Sequence, residues 1–337
     1  GAYFTIRSSA TDTVGGIQSG VTSRSFYQDE VGPVSGISQP THGSFKKSSE
    51  IGTMNGTATD GLSGVSKVQI QIRNVTMEAD GYWSVVSGTW VYTGGSATAW
   101  NNVTSPWANW TFNLAGSTFT DGHEYRLDTR AYDNSYNAAG SSNIATMGLD
   151  LQVKCDDTVP TGSISAPTAG GRYGGSGNTL ASMTGIANDP NNGAFGLSKV
   201  QVQIYRQTGT PGYYTGGALT YQGSATWLDA TGTDAWSYTF SASSDVWEND
   251  NIYQVKSKVK DKANNEYETG AVTISYDTVK PTSTIWYPAG SNYSSLTMLS
   301  GTANDAGNAE AIRSIKEVRL KIYRAAGDTN RYWDGVG

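Results

Sequence analysis

Cysteine is almost missing from this chain. Cys155 is the single one in 337 residues, so no intrachain disulfide framework holds the fold, and the chain is long enough to bury cores without one. Histidine is scarce too. His42 and His123 are the two present, in unrepeated, loop-like settings, so a His-based triad or a His-rich metal site lacks its parts. Charged residues make up 15% with a net charge of −6, and the lysines and arginines are scattered. Without a basic stripe, nucleic acid is a poor partner. No apolar run approaches ~18 residues, the length a membrane-spanning helix needs. No signal peptide is visible, as expected of a mature or truncated chain. Glycine is abundant at 41 residues, yet no Gly-rich loop follows a strand and opens a helix, so the phosphate-cradling motifs are absent. The chain reads as non-enzymatic.

What is present is repetition. "GTMNGTATD" (52–60), "ASMTGIAND" (181–189) and "TMLSGTAND" (297–305) are three versions of one phrase. Their shared glycines, Gly56, Gly185 and Gly301, lie roughly 115–130 residues apart, too far for a solenoid repeat and right for a small domain. "SKVQIQI" (66–72) returns as "SKVQVQIYR" (198–206) and "KEVRLKIYR" (316–324). "YRLDTRAYDNSYNAAG" (125–140) is answered by "YQVKSKVKDKANNEYE" (253–268), and "YFTIRSSATDTVGG" (3–16) opens the chain with a similar ending. These are tandem domains.

The local pattern is β throughout. "VQIQI" and "VQVQIY" alternate apolar and polar residues with period two, as do "WTFNL" (110–114) and "WSYTF" (236–240). Clusters of Gly, Asn, Asp, Ser and Thr between them are turn chemistry. "NAEAIRSIKEV" (308–318) is the nearest approach to a helical period, and it is short. Several short strands in each ~120 residues predict antiparallel sandwiches rather than βαβ units. The joints "DEVGPVSGI" (29–37), "DDTVPTGSI" (156–164) and "DTVKPTSTI" (277–285) place an acid and a proline ahead of a fresh strand. The expected domains are therefore 29–155 and 156–276. Residues 1–28 supply the closing strands of a preceding domain and 277–337 the opening part of a further one. The two partial pieces together are shorter than the second domain, so a window cut from a longer array is expected rather than head-to-tail complementation between chains.

The joint "DTVKPT", the strand end "GTAND", the "YW…W" middle and the ending Y-x-V-x-x-x-V-x-D-x-A-x-N resemble bacterial Ig-like and fibronectin-III-like repeats of large secreted surface proteins and adhesins. The likeness covers nearly the whole chain, with two departures: Glu30-Val31-Gly32 precedes the first joint's proline, and "DNSYN" stands for Asp-x-Ala-Gly-Asn. It implies all-β, tandem Ig-like antiparallel sandwiches arranged as a rod. It also implies an extracellular, cell-surface role as stalk, spacer or fibre component, with neighbouring domains or copies of the same protein as partners. In that fold Tyr125, Tyr253 and Tyr3 take the position of the tyrosine corner.

Two sets of residues are candidates for function. Aromatics recur in register, Trp100 with Trp227 and Trp110 with Trp236, which favours the core; Trp107 has no counterpart and is the candidate surface contact for a cell-surface polysaccharide. Carbohydrate-binding modules and accessory repeats of an extracellular enzyme are the alternative readings. The second set is acidic. In an Ig-like sandwich the chain start, the B–C turn and the F–G turn share one end. Asp29, Asp60 and Asp133 should therefore gather in the first domain, and Asp157, Asp189 and Asp261 in the second. Crowded carboxylates repel. They are reconciled either as caps on turn N–H groups or as ligands of Ca²⁺, with Lys260 and Lys262 flanking Asp261 as partial counter-charges. Cys155, beside the second joint, is a candidate for cross-linking copies. Asn55, Asn74, Asn102, Asn109 and Asn292 lie in N-x-[ST] triplets, which matter only in a glycosylating host.

Overall fold

Strands alternate their side chains between two faces, and the residues of this chain obey that period closely enough to set which groups enter the core. The computed structural model describes residues 1–76, 81–91, 99–135, 143–146, 151–175, 177–190, 196–305, 315–324 and 331–332. The chain divides into two compact units. One comprises residues 1–160 with 189–197 and 261–265; the other comprises 161–188, 198–260 and 266–337.

In the first unit, β1 (Ala2–Ser8) and β2 (Thr22–Gln28) pair as an antiparallel hairpin. The strands β3 (Val34–Gln39), β4 (Ser44–Lys46), β5 (Thr53–Thr59), β6 (Val65–Asn74), β7 (Gly81–Ser84), β8 (Thr89–Val91), β9 (Asn101–Asn102), β10 (Trp110–Asn113), β11 (Glu124–Asp133), β12 (Ile144–Thr146) and β13 (Leu151–Cys155) follow. They form two sheets. One has the order β10-β5-β3. The other has the order β4-β13-β11-β6-β7-β8, with β12 on β11 and β9 on β6. Both turn their apolar faces to one core. Met54, Trp110 and Phe112 come from the first sheet, and Ile70, Ile72, Leu127 and Val153 from the second. Ser35 and Thr129 bridge the sheets by a buried hydroxyl pair at 3.0 Å. This is an Ig-like β-sandwich, with antiparallel pairing except where β4 runs parallel to β13.

The second repeat copies the plan with β14 (Thr161–Ala166), β15 (Arg172–Tyr173), β16 (Ser182–Asn188), β17 (Leu197–Arg206), β18 (Gly212–Tyr214), β19 (Tyr221–Gln222), β20 (Leu228–Asp229), β21 (Ala235–Thr239), β22 (Asn251–Asp261), β23 (Glu266–Glu268) and β24 (Val272–Tyr276). Its sheets run β14-β16-β21 and β15-β24-β22-β17-β18-β19. A third copy begins with the pair β25 (Thr282–Tyr287) and β26 (Ser300–Asn304); β27 (Tyr323–Arg324) and β28 (Arg331–Tyr332) form a short hairpin. Most of "NAEAIRSIKEV" lies outside the described residues.

The repeated glycine has a packing cause. Trp110 of β10 sits opposite Gly56 of β5, and Trp236 of β21 opposite Gly185 of β16. Each indole lies against its glycine. A Cβ on Gly56 would come 2.3 Å from Trp110 Cζ2 and 2.0 Å from the Gly36 carbonyl oxygen. On Gly185 it would come 2.3 Å from Trp236 Cζ2 and 2.1 Å from the Ser163 oxygen. Only glycine fits.

The tyrosine corners form as expected in the two full copies. The buried Tyr125 hydroxyl accepts from the Thr120 N–H and that of Tyr253 from the Glu248 N–H, each at 2.7 Å. Burial pushes the Tyr253 phenol up to about 12. Tyr253→Phe keeps the ring and removes the acceptor, so a loss of about 1–3 kcal/mol is expected in urea unfolding; a change within measurement error would refute the corner's role. Tyr3 does not follow. It is 60% exposed and rests on Tyr27 at a centroid distance of 4.8 Å. The reason is register. β1 ends at Ser8, ahead of Asp12; counting back eight residues from Asp12, as from the strand-ending Asp133 and Asp261, gives Phe4, Tyr125 and Tyr253. By that count Phe4, not Tyr3, aligns with Tyr125 and Tyr253, and it carries no hydroxyl to make the corner bond.

Candidate metal centres

Parity carries two aspartates into the interior. Along β11 the inward series is Tyr125, Leu127, Thr129, Ala131, Asp133; along β22 it is Tyr253, Val255, Ser257, Val259, Asp261. Each Asp is the last inward residue of its strand and is fully buried. Asp60 and Asp189 directly follow β5 and β16, the strands written by the repeated phrase. The joint ahead of β3 or β14 supplies the third acid. Carboxylate oxygens of Asp29, Asp60 and Asp133 lie within 4.8 Å of one another, and so do those of Asp156, Asp189 and Asp261. Both triads belong to the first compact unit.

The second triad corrects one residue. Asp156 takes the place expected of Asp157. Asp156 is buried beside Cys155, whereas Asp157 is exposed and committed elsewhere. Its N–H donates to Asp121 Oδ1 at 2.7 Å and its Oδ1 accepts from the Ser48 N–H at 3.0 Å. The joint proline holds the signal. Asp29 precedes Pro33 by four residues, and Asp156 precedes Pro160 by the same interval.

The two triads are satisfied differently. In the first, Asp29 accepts from the Val31 and Ser63 N–H groups at 3.1 and 3.0 Å, and hydrogen bonding from Ser63, then Val31, holds its carboxyl below the usual range. Asp60 Oδ2 accepts from Leu62 and Gly64 N–H at 3.1 and 2.7 Å. Asp133 Oδ1 accepts from Ser135 N and Oγ and from Asn143 N, while its Oδ2 accepts from Asn143 Nδ2 at 2.9 Å. These are turn caps. In the second, Asp261 Oδ1 accepts from the Asn265 N–H at 2.8 Å. Its Oδ2 is buried with no hydrogen-bond partner among the described residues. Neither flanking lysine pairs with it: Lys260 Nζ meets Glu266 Oε1 at 3.2 Å, and Lys262 Nζ lies over the Phe45 ring, 5.1 Å from its centroid. A bare buried carboxylate oxygen is costly unless a cation or donor meets it.

One asparagine per triad escaped the sequence reading. Asn143 Nδ2 donates to the Asp29 carbonyl and Asn265 Nδ2 to the Asp156 carbonyl, both at 3.0 Å, tying the joint to the strand-end turn. Asn265 was visible as the last letter of D-x-A-x-N. Asn143 was not, because it comes ten residues after Asp133, and Asn137 lies outside the described residues.

The aromatic and thiol candidates move inward or into cation contacts. Trp107, expected as a surface contact, is half-buried in a 3₁₀ turn and packs on the core. Trp110 and Trp236 are core residues. Trp100 and Trp227, expected there too, instead lie half-buried under a cation. Arg130 Cζ stands 4.3 Å above the Trp100 ring and Lys258 Nζ 4.5 Å above that of Trp227; both cations occupy outward positions of their strands. Cys155, the cross-linking candidate, is fully buried, so it presents no thiol to another copy. Among the described residues no helix is long and apolar enough to cross a membrane.

No family model matches the chain, and no curated protein matches it. Similar solved structures exist. The fibronectin(III)-like modules of Clostridium thermocellum CbhA are 14% identical, with 72% of this chain and 94% of that chain covered and a TM-score of 0.38. A tetra-tandem repeat in the extending region of a large adhesion protein is 15% identical, with 84% and 58% covered and a TM-score of 0.29. A solved chain from a 1.5-MDa bacterial ice-binding adhesin is 17% identical, with 77% of this chain and 71% of that chain covered and a TM-score of 0.34.

Proposed function

We propose that this chain is a structural repeat array of a secreted or cell-surface protein, serving as stalk, spacer or fibre component, and that Ca²⁺ at Asp156, Asp189 and Asp261 fixes one of its joints. The reading assigns no catalysis, and its partners are neighbouring domains or further copies. What supports it is the buried Asp261 Oδ2, held without a hydrogen-bond partner inside a set of three acids drawn from three separate segments. Oxygens bound to one Ca²⁺ at ~2.3–2.6 Å lie up to roughly 5 Å apart, and the observed spread of 4.8 Å fits. Asp261 and Asp189 would add charge and Asp156 would anchor the joint; the Asn265 link to the Asp156 carbonyl keeps that anchor in place. The first triad needs no ion, since turn N–H groups and Asn143 already serve it. Polysaccharide binding loses its best candidate, because Trp107 packs inward.

The test is calorimetric melting of the whole chain in millimolar Ca²⁺ and in chelator, with calcium titration calorimetry alongside. Saturation at a hundredfold above the dissociation constant adds about 2.7 kcal/mol. Asp261→Asn should lose both the heat of binding and the melting increment, and Asp133→Asn should keep both. Identical melting with Ca²⁺ and chelator, together with no binding heat, overturns the calcium reading and leaves all six acids as turn caps.

A further inference from the structure

The two full repeats treat the cations on their outward sheet faces differently. In the second, Lys199 meets Asp229 at 3.6 Å, Lys258 meets Glu268 at 2.9 Å and Lys260 meets Glu266 at 3.2 Å. Counted along the shared motifs, the first repeat has Lys67 for Lys199, Arg130 for Lys258 and Tyr132 for Lys260. Its matching acids are gone. Asn102 stands across from Gln69, where Asp229 stands across from Gln201. Thr146 and Ile144 stand across from Arg130 and Tyr132, where Glu268 and Glu266 stand across from Lys258 and Lys260. Among the described residues no carboxylate lies in ion-pair range of Lys67 or Arg130. Rings and amides hold them instead. Lys67 Nζ lies 3.9 Å and Arg130 Cζ 5.4 Å from the Tyr132 ring centroid. Arg130 also lies over Trp100 at 4.3 Å and donates from Nε to Gln69 Oε1 at 2.9 Å. Gln69 Nε2 in turn donates to Asn102 Oδ1 at 2.9 Å. A ring fixes a cation in place without cancelling its charge.

We propose that this face of β6, β9 and β11 binds an acidic polysaccharide, with Lys67 and Arg130 pairing with its carboxylates and the Gln69 and Asn102 amides with its hydroxyls. Charge selects the class of ligand. The chain as a whole carries −6, so a polyanion is drawn to the local area where cations stand without acids. The bond from Nε to Gln69 orients the Arg130 guanidinium, whose remaining N–H groups form a planar fork that suits a carboxylate. The Tyr132 hydroxyl donates to the same Gln69 oxygen at 3.3 Å. Ring, amide and cation are thus set before a ligand arrives, and little side-chain freedom is lost on binding. Amide groups offer both donors and acceptors to sugar hydroxyls. Nucleic acid fits less well, because its affinity is built from many phosphate contacts and Lys67 with Arg130 supplies only two cations. The site shares no residue with the calcium joint.

The probe is a polyuronate oligosaccharide, titrated calorimetrically into the whole chain in chelator at low salt. A neutral glucan of equal length and single-stranded DNA serve as comparisons. Polyuronate should bind, more weakly as salt is raised, and the glucan should not. Arg130→Gln should weaken binding about tenfold, the loss of a hydrogen bond made by a charged group. Asn102→Asp combined with Ile144→Glu writes the second repeat's acids into the first and leaves both cations in place. Both positions are exposed, so melting should hold while affinity falls at least as far as in Arg130→Gln. Lys258→Gln, in the second repeat, should bind as the native chain does. No binding, equal binding of the glucan, tighter binding of DNA, or unchanged affinity in both first-repeat variants would each overturn the proposal. So would a loss in Lys258→Gln equal to that in Arg130→Gln.

Discussion

Gly185→Ala is expected to destabilise its sandwich by about 3 kcal/mol or more, among the largest effects of any single methyl group in this chain. The added carbon has two collisions and no direction of escape. Trp236 Cζ2 would stand 2.3 Å away and the Ser163 carbonyl 2.1 Å away. One belongs to a buried ring and the other to a paired strand, so relief requires moving β21 or β14 away from β16. Gly56→Ala should behave alike against Trp110 and Gly36. Gly223→Ala is the control. Nothing lies within 4 Å of its added carbon, and a surface change of that kind stays within about 0.5 kcal/mol. Urea unfolding of the three variants decides it. If Gly185→Ala unfolds at the same midpoint as Gly223→Ala, the indole does not rest on the glycine as described.

The second large effect is alkaline and centres on Cys155. Burial raises its thiol most, and the acids Asp157, Asp121 and Asp156 raise it further, from 9.0 to about 12. The native state therefore keeps a proton that the unfolded state loses above pH 9. Stability from this group is intact below pH 9 and drains away as pH rises toward 12, because the unfolded thiolate is the favoured form there. The ceiling on that loss is about 4 kcal/mol. Tyr253 adds a similar trend beginning near pH 10. Melting measured from pH 8 to 11.5 should fall steeply in the native sequence and less steeply in Cys155→Ala, whose stability at pH 8 is lower for the lost packing. At pH 8 the folded thiol should resist an aromatic disulfide reagent and react only on denaturation. Rapid labelling of the folded protein, or equal alkaline slopes in both proteins, would refute this account.

Strand identity was legible in the sequence because period-two alternation is written by the residues themselves. The inward run from Tyr253 to Asp261 is an example. The repeated phrase was legible as a repeat, but the demand for glycine within it was not. That demand comes from an indole some fifty residues later in the chain, whose register only the fold reveals. Cross-sheet position was harder still. Trp100 and Trp110 look alike as letters, yet one faces the core and the other lies under Arg130. Five of the six acids named from Ig-like topology lie in the two carboxylate clusters. The miss arose where two aspartates adjoin: adjacency decides burial by parity, and the joint's parity was readable only by counting back from Pro160. Asn143 was hidden because an insertion separates it from the turn it serves.

The second triad gathers residues 156, 189 and 261 into the first compact unit. A ribosome makes a chain from its amino end, so the first triad has all its acids once residue 133 has emerged. The second waits for more than a hundred further residues. Asp156 must spend that interval without Asp261 and without the Asn265 side chain that holds its carbonyl. During synthesis the early unit thus stays unfinished at one corner until most of the following repeat has been delivered. A nascent chain stalled at residue 200 should carry that corner open to protease, while one stalled past residue 265 should have closed it.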